Sequence, residues 1–226
     1  KNLTLVPKFN DSKHIFIIGL PRSGSSLVET IITHNSNNIT SVGEFHGINA
    51  SILDQINKSI YSENFDQKNF KFEIDKKLFQ ENLLEKYNSL DKDTFLDKSL
   101  ENFFNIEVIL EFFPNSKIIH TYRKFEDSVI AIYKTMLPGL SWAHKIEDII
   151  DYWNLYQKTI KYFKKKYPNK ILDVELSNLT NQQDVEARKI LNFCGIKYNE
   201  NFLNFNKNEK LFNKTNSFLQ VREKIK

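Results

Sequence analysis

The chain has 226 residues, enough to bury one sizeable core. Its 40% hydrophobic and 27% charged residues are an ordinary globular balance, and a formal charge of +4 is too mild to argue for a nucleic-acid partner. That charge does suit a protein that gathers phosphate or sulfate groups. A single cysteine, Cys194, excludes an internal disulfide; within Ile190-Leu191-Asn192-Phe193-Cys194 it reads as core filler. No run approaches the ~18 apolar residues of a membrane span, and no signal peptide is visible. A reducing, cytoplasmic setting is the expectation. The chain opens on Lys1 rather than Met, so it reads as a fragment of a longer protein.

Residues 1–13 are polar, contain Pro7 and read as a tail. His14-Ile15-Phe16-Ile17-Ile18 is apolar, rich in β-branched residues and without alternation, the pattern of a strand buried on both faces of a parallel sheet. A loop over Gly19–Gly24 leads into a helix with apolar residues at helical spacing through Ile32. A short strand is expected at Ile39–Val42. Residues 50–92 read as helical pieces with polar linkers, part of a mainly helical insertion over 45–92. A strand ending at Asp97 follows, and then a helix over Glu101–Phe113, stopped by Pro114. Lys117–Tyr122 is a second confident strand. Helices over Glu126–Met136 and Glu147–Lys166 follow, then a strand over Lys170–Val174. The last helix, Val185–Cys194, ends at Gly195, a residue suited to a left-handed cap. Strands alternating with helices predict an α/β fold: three layers, α/β/α, around a largely parallel central sheet, P-loop-like, in a single domain over 1–226.

The chemistry concentrates in Gly19-Leu20-Pro21-Arg22-Ser23-Gly24-Ser25-Ser26. This segment follows a strand and opens a helix, so its backbone N–H groups can converge on an anion at the helix N-terminus. The frame is that of a P-loop, two glycines with four residues between them. A nucleoside-triphosphate loop would next place Lys and Ser/Thr, and here stand Ser25 and Ser26. The positive charge comes from Arg22 inside the loop. The missing Lys disfavours kinase or ATPase chemistry. Asp97 is a candidate for a metal-holding Asp, but Lys98 follows it at once.

The segment Pro21–Glu29 resembles the 5′-phosphosulfate loop of sulfotransferases. It is most similar to bacterial sulfotransferase domains often fused to tetratricopeptide repeats and to protein-tyrosine sulfotransferases. Further matches run in the same order: Val42-Gly43-Glu44, Leu96-Asp97-Lys98-Ser99 with Asn102-Phe103, Phe113–Arg123, and Leu219-Gln220-Val221-Arg222. One departure stands out. The family places Ser eight residues after the Arg of the 3′-phosphate strand, where this chain has Ala131; Ser128 lies nearer to Arg123.

The resemblance implies metal-independent transfer of a sulfuryl group from 3′-phosphoadenosine 5′-phosphosulfate (PAPS) to an acceptor hydroxyl or amine, leaving 3′-phosphoadenosine 5′-phosphate (PAP). Arg22, Ser23, Gly24, Ser25 and Ser26 would hold the 5′-phosphosulfate. Arg123 would hold the 3′-phosphate, with Ser128 or Arg222 assisting. Lys98, with Arg22, would meet charge on the leaving phosphate, and Glu44 would act as general base, with His46 as the competing base. Plainer roles stand beside these: Lys98 paired with Asp97, Arg123 paired with Glu126 or Asp127, Glu44 as a surface or capping residue. His120 reads as a satisfied core histidine. Trp142, Trp153 and Tyr156 are candidates for an acceptor groove but more usual as core. The acceptor is a carbohydrate, a peptide tyrosine or a small metabolite. The alternatives to an active sulfotransferase are a nucleotide-binding domain without turnover and a small-molecule kinase.

Overall fold

The central strand β1, Ile15–Gly19, explains the architecture. All five of its residues are buried. Phe16 and Ile18 join a cluster with Phe95, Phe103, Phe113 and Ile118. Ile15 and Ile17 join a second cluster with Val28, Ile31, Leu96 and Ile119. A strand with apolar residues on both faces needs cover on both faces, which is why its sequence runs without alternation. Each such side chain contributes about 1.5–3 kcal/mol by burial. The computed structural model describes residues 13–62, 72–87 and 94–199.

In chain order, β1 is followed by α1 (Ser25–Asn35), β2 (Ile39–Gly43), α2 (Gly47–Ile60), α3 (Lys76–Tyr87), β3 (Thr94–Asp97) and a 3₁₀ turn at Leu100–Phe104. Then come α4 (Ile106–Phe112), β4 (Lys117–Tyr122), α5 (Phe125–Thr135), a 3₁₀ turn at Ser141–Ala143 and α6 (Ile146–Lys166). β5 (Ile171–Glu175), α7 (Leu176–Asn181) and α8 (Gln183–Cys194) complete the described chain. The sheet has the order β2-β3-β1-β4-β5, and every described pairing is parallel. This is the expected α/β fold, with helices on both faces of a parallel sheet. The chain passes from β3 on one side of β1 to β4 on the other. Open parallel sheets bind ligands beyond the carboxyl ends of their strands at such a switch point.

Two expectations are corrected in detail. The helix expected over Glu101–Phe113 is broken into the 3₁₀ turn and α4. Asn105 marks the break: its N–H donates to Asn102 O at 2.9 Å, and its side-chain amide donates to Asn49 on α2. A polar tether to another helix has overridden local helical periodicity there. The short α7 was not expected, because its polar Leu-Ser-Asn-Leu-Thr-Asn sequence carries only one buried residue, Leu179. Gly195 ends α8 as expected, at φ 70°, with Ile196 N–H donating to Leu191 O at 2.8 Å.

His120 is a core histidine. Its Nδ1 lies 2.7 Å from Asp173 Oδ1, and its Nε2 meets the hydroxyl of Tyr156. Burial lowers its pKa, against the pull of the Asp173 bond. Burial alone would raise the pKa of Asp173, but hydrogen bonds from His120 and Lys164 bring it down to about 2. Lys164 and Lys166, in the last turn of α6, pair with Asp173 at 2.6 Å and with Glu107 at 2.6 Å.

Candidate active site

The loop after β1 is built by two glycines. A Cβ on Gly19 would lie 2.2 Å from Thr121 O, so only glycine lets the loop turn against the end of β4. Gly24 sits at φ 92° at the N-terminal cap of α1, where a Cβ would stand 2.7 Å from Leu176 Cδ1. No side chain caps the helix. The Leu27 and Val28 N–H groups donate to Gly24 O at 3.0 and 3.2 Å, and the buried Ser25 and Ser26 form the first turn, at the positive pole of the helix dipole. Ser23 is locked from below, its hydroxyl 2.7 Å from Thr121 Oγ1. Arg22 holds a left-handed φ of 67°, a conformation that costs a non-glycine residue free energy and gathers at ligand sites.

Arg123 leaves the end of β4 and comes to this loop: its Nη1 donates to Arg22 O at 3.4 Å. The Arg123 guanidinium is thereby held against the backbone of the loop, 101 residues away in sequence. Ser128, in the first half of α5, is buried and bonds to Arg123 O at 3.5 Å. It therefore lies beside Arg123, while Ala131 is farther along α5.

Across the cleft, Glu44 follows Gly43 at the end of β2, and Lys98 follows Asp97 at the end of β3. The two strand ends are tied by Lys98 N–H donating to Gly43 O at 2.8 Å. Lys98 Nζ donates to Glu44 Oε1 at 2.8 Å. The lysine side chain is 1% exposed and that of Glu44 47%. Lys98 therefore pairs with Glu44, not with Asp97. The Asp97 carboxylate accepts from the Ser99 N–H at 2.7 Å, a local turn bond rather than a metal-holding position. His46 adopts φ 54° and donates its backbone N–H to Ser99 Oγ at 2.7 Å.

A cleft of about 460 Å³ joins the two sides. Arg22, Ser25, Ser26, Glu44 and His46 line it, along with Glu101, Phe103, Leu137, Leu140, Trp142 and Tyr152. Lys98 lies beneath its floor. Ser23, Gly24, Arg123 and Ser128 are not among its lining residues. Arg222 lies outside the described residues. Trp142 stacks on Tyr152 at 3.9 Å between ring centroids, so of the three aromatic candidates it is the one at the cleft. Tyr156 is core, bonded to His120, and Trp153 packs edge-on against Phe125. The sequence reading missed Tyr152, the Leu137–Leu140 turn, and Glu29 on α1. Glu29 was legible: it lies four residues after Ser25, one helical turn beneath the anion loop.

The family model described as "Sulfotransferase family" matches residues 14–200. The chain belongs to the sulfotransferase family. Among curated proteins it is similar to an uncharacterized protein of Aquifex aeolicus (strain VF5), 26% identical over 223 residues. That match takes in 93% of this chain and 29% of the relative, so the chain spans under a third of the relative's length. Among solved structures it is similar to the sulfotransferase domain of the Synechococcus PCC 7002 olefin synthase. There the TM-score is 0.64 and the identity 18%, over 100% of this chain and 88% of that one. A sulfotransferase of Alicyclobacillus acidocaldarius gives 0.56 at 15% identity, over 82% of each chain. A mouse sulfotransferase crystallised with PAP gives 0.55 at 14% identity, over 85% of this chain and 61% of that one. At these identities the structural likeness is one of fold. Among the described residues no helix is long and apolar enough to cross a membrane.

Proposed function

We propose that this chain transfers the sulfuryl group of PAPS to an acceptor hydroxyl or amine. One observation carries the reading: an ion pair, Lys98 to Glu44 at 2.8 Å, sits at the cleft that the anion loop opens into. The donor supplies an activated sulfuryl group and a phosphate leaving group. The chain's residues do the rest. The loop amides around Ser25 and Ser26, with Arg22, bind the 5′ end, and Arg123, with Ser128 orienting its backbone, binds the 3′-phosphate. Glu44 takes the acceptor proton, an acceptor O–S bond forms, the S–O bond to the leaving phosphate breaks, and that phosphate keeps the electron pair. Lys98 and Arg22 hold fixed positive charge where the leaving group develops its own, which is where preorganised charge lowers a barrier most.

The acceptor enters past Phe103, Leu140, Trp142 and Tyr152. This apolar wall suits a molecule with a flat ring face, whether sugar or phenol, and the helical insertion over 45–92 contributes Glu44's neighbour His46. His46 is the second candidate base. A second functional reading, donor binding without turnover, is favoured by one observation: Lys98 lies under the cleft floor rather than in it. A kinase is disfavoured by the absent loop lysine and by Asp97 being engaged with Ser99.

The test is PAP release from PAPS with 4-nitrophenol as acceptor. The wild type turns over, and Glu44→Gln lowers kcat by about 10²–10⁴, the usual share of a general base. Glu44→Gln at the wild-type rate with loss in His46→Ala would move the base to His46. Tight PAP binding without any turnover would establish the second reading.

A further inference from the structure

Resting on the sulfuryl-transfer reading above, we propose that Glu29 is a positioning residue: it is the standing counter-ion of Lys98 that lets Glu44 accept a proton without stranding a buried ammonium. The geometry is a three-member cluster drawn from three elements. Lys98 Nζ stands 2.8 Å from Glu44 Oε1 and 3.7 Å from Glu29 Oε2. The lysine side chain is 1% exposed and that of Glu29 9%, whereas Glu44 opens into the cleft. Glu29 is itself fixed. Its Oε1 accepts from the Ser41 hydroxyl, and Ser41 Oγ accepts from the Gly43 N–H at 3.2 Å. Ser41 of β2 thus aims one carboxylate at the lysine, while the other, Glu44, three residues after Ser41 and just past the end of β2, faces the cleft.

The charges explain the arrangement. Two carboxylates and one ammonium leave one net negative charge in a cluster that is buried at Lys98 and Glu29 and open to the cleft at Glu44. A single carboxylate would have balanced the lysine. When the acceptor proton passes to Glu44, that carboxylate becomes neutral. With Glu44 as its sole partner, Lys98 would then be a buried charge with no counter-charge, which is strongly unfavourable. Glu29 keeps its negative charge through the step, so the site passes from one excess negative charge to balance. Lys98 stays an ammonium throughout, with its head free to leave Glu44 and still paired from below. The proton goes from acceptor to Glu44 and nowhere else.

The experiment combines kinetics with a direct view of the ammonium. With PAPS and 4-nitrophenol, Glu29→Gln lowers kcat by about tenfold to a hundredfold, less than the loss of the base itself. KM values and the Kd for PAP stay within about twofold, because no binding contact is removed. Glu29→Asp, which keeps the charge, recovers part of the loss. Ser41→Ala leaves both charges and frees only the aim of Glu29, so its loss is smaller. In ¹⁵N-lysine spectra, the signal that disappears in Lys98→Arg is shifted by Glu29→Gln in the donor-free protein, with the melting temperature recorded alongside. The proposal is overturned by a wild-type kcat in Glu29→Gln, by a loss that appears in KM or tracks unfolding, or by an unmoved Lys98 signal. A wild type that forms no sulfated product overturns the functional reading itself, and the spectra then still report whether Glu29 holds Lys98.

Discussion

The two halves of the cleft are made in different ways. One half is a contiguous stretch, Gly19–Ser26, joined from afar by Thr121, 2.7 Å from the Ser23 hydroxyl, and by Arg123, anchored on Arg22 O at 3.4 Å. The facing half is gathered from Glu44, Phe103, the Leu137–Leu140 turn, Trp142 and Tyr152, residues that share no local pattern. An anion cradle needs converging backbone N–H groups, and a strand-loop-helix supplies these locally. An apolar wall needs only shape and apolar surface, which any set of elements can supply once the sheet brings them together. The loop half is therefore specified by sequence and the facing half by tertiary packing.

Substitutions should separate the halves. The largest effect is expected at Gly24. Alanine there must hold φ 92°, a strained conformation for any residue with a Cβ, and the Leu176 side chain, whose Cδ1 would lie 2.7 Å away, has to turn aside. Strain of about 1–3 kcal/mol converts to roughly a tenfold to hundredfold loss of PAP affinity, with acceptor KM little changed. Calorimetry on Gly24→Ala checks this; unchanged affinity would mean that the loop is not the cradle.

Trp142→Ala should do the reverse. Loss of an aromatic face worth about 0.5–1.5 kcal/mol raises acceptor KM about two- to tenfold and leaves the PAP Kd alone. If donor affinity falls instead, the two sides are not separable and the comparison breaks down.

The smallest effect should come from His120, which belongs to neither half. Burial holds its pKa below the ordinary 6.5. As pH falls through 6.5 the unfolded chain takes up this proton and the folded chain does not, so stability declines, by at most about 1.4 kcal/mol per pH unit for one proton. Asp173 does not confuse that window. Its folded pKa is about 2 against 3.8, so its contribution is lost only as pH falls below 3.8 toward 2. Thermal melts between pH 7 and pH 5 should show a shallower slope in His120→Gln, and an equal slope would assign the proton uptake to another group.

How much was legible follows the same division. The sheet strands were readable because a doubly buried strand such as Ile15–Gly19 shows an unbroken apolar run. The loop was readable because its glycines and serines have fixed spacing. The pairing of Lys98 with Glu44 was not, since 54 residues separate them and only the β2–β3 register brings their strand ends together. The break at Asn105 was hidden for a like reason, its partner Asn49 lying on another helix. Arg123 was expected to serve the donor, but its bond to Arg22 O required the topology that sets β4 beside β1.

The central claim is that this cradle binds a nucleotide carrying both 5′ and 3′ phosphates. The most direct measurement is calorimetric titration of the wild type and Arg123→Ala with PAP, with ADP as control. A charge-assisted hydrogen bond of about 1.5–3 kcal/mol predicts that PAP binds roughly tenfold to a hundredfold tighter than ADP and that Arg123→Ala removes the difference. Equal binding of PAP and ADP to the wild type, or a preference for ATP with magnesium, would contradict the account.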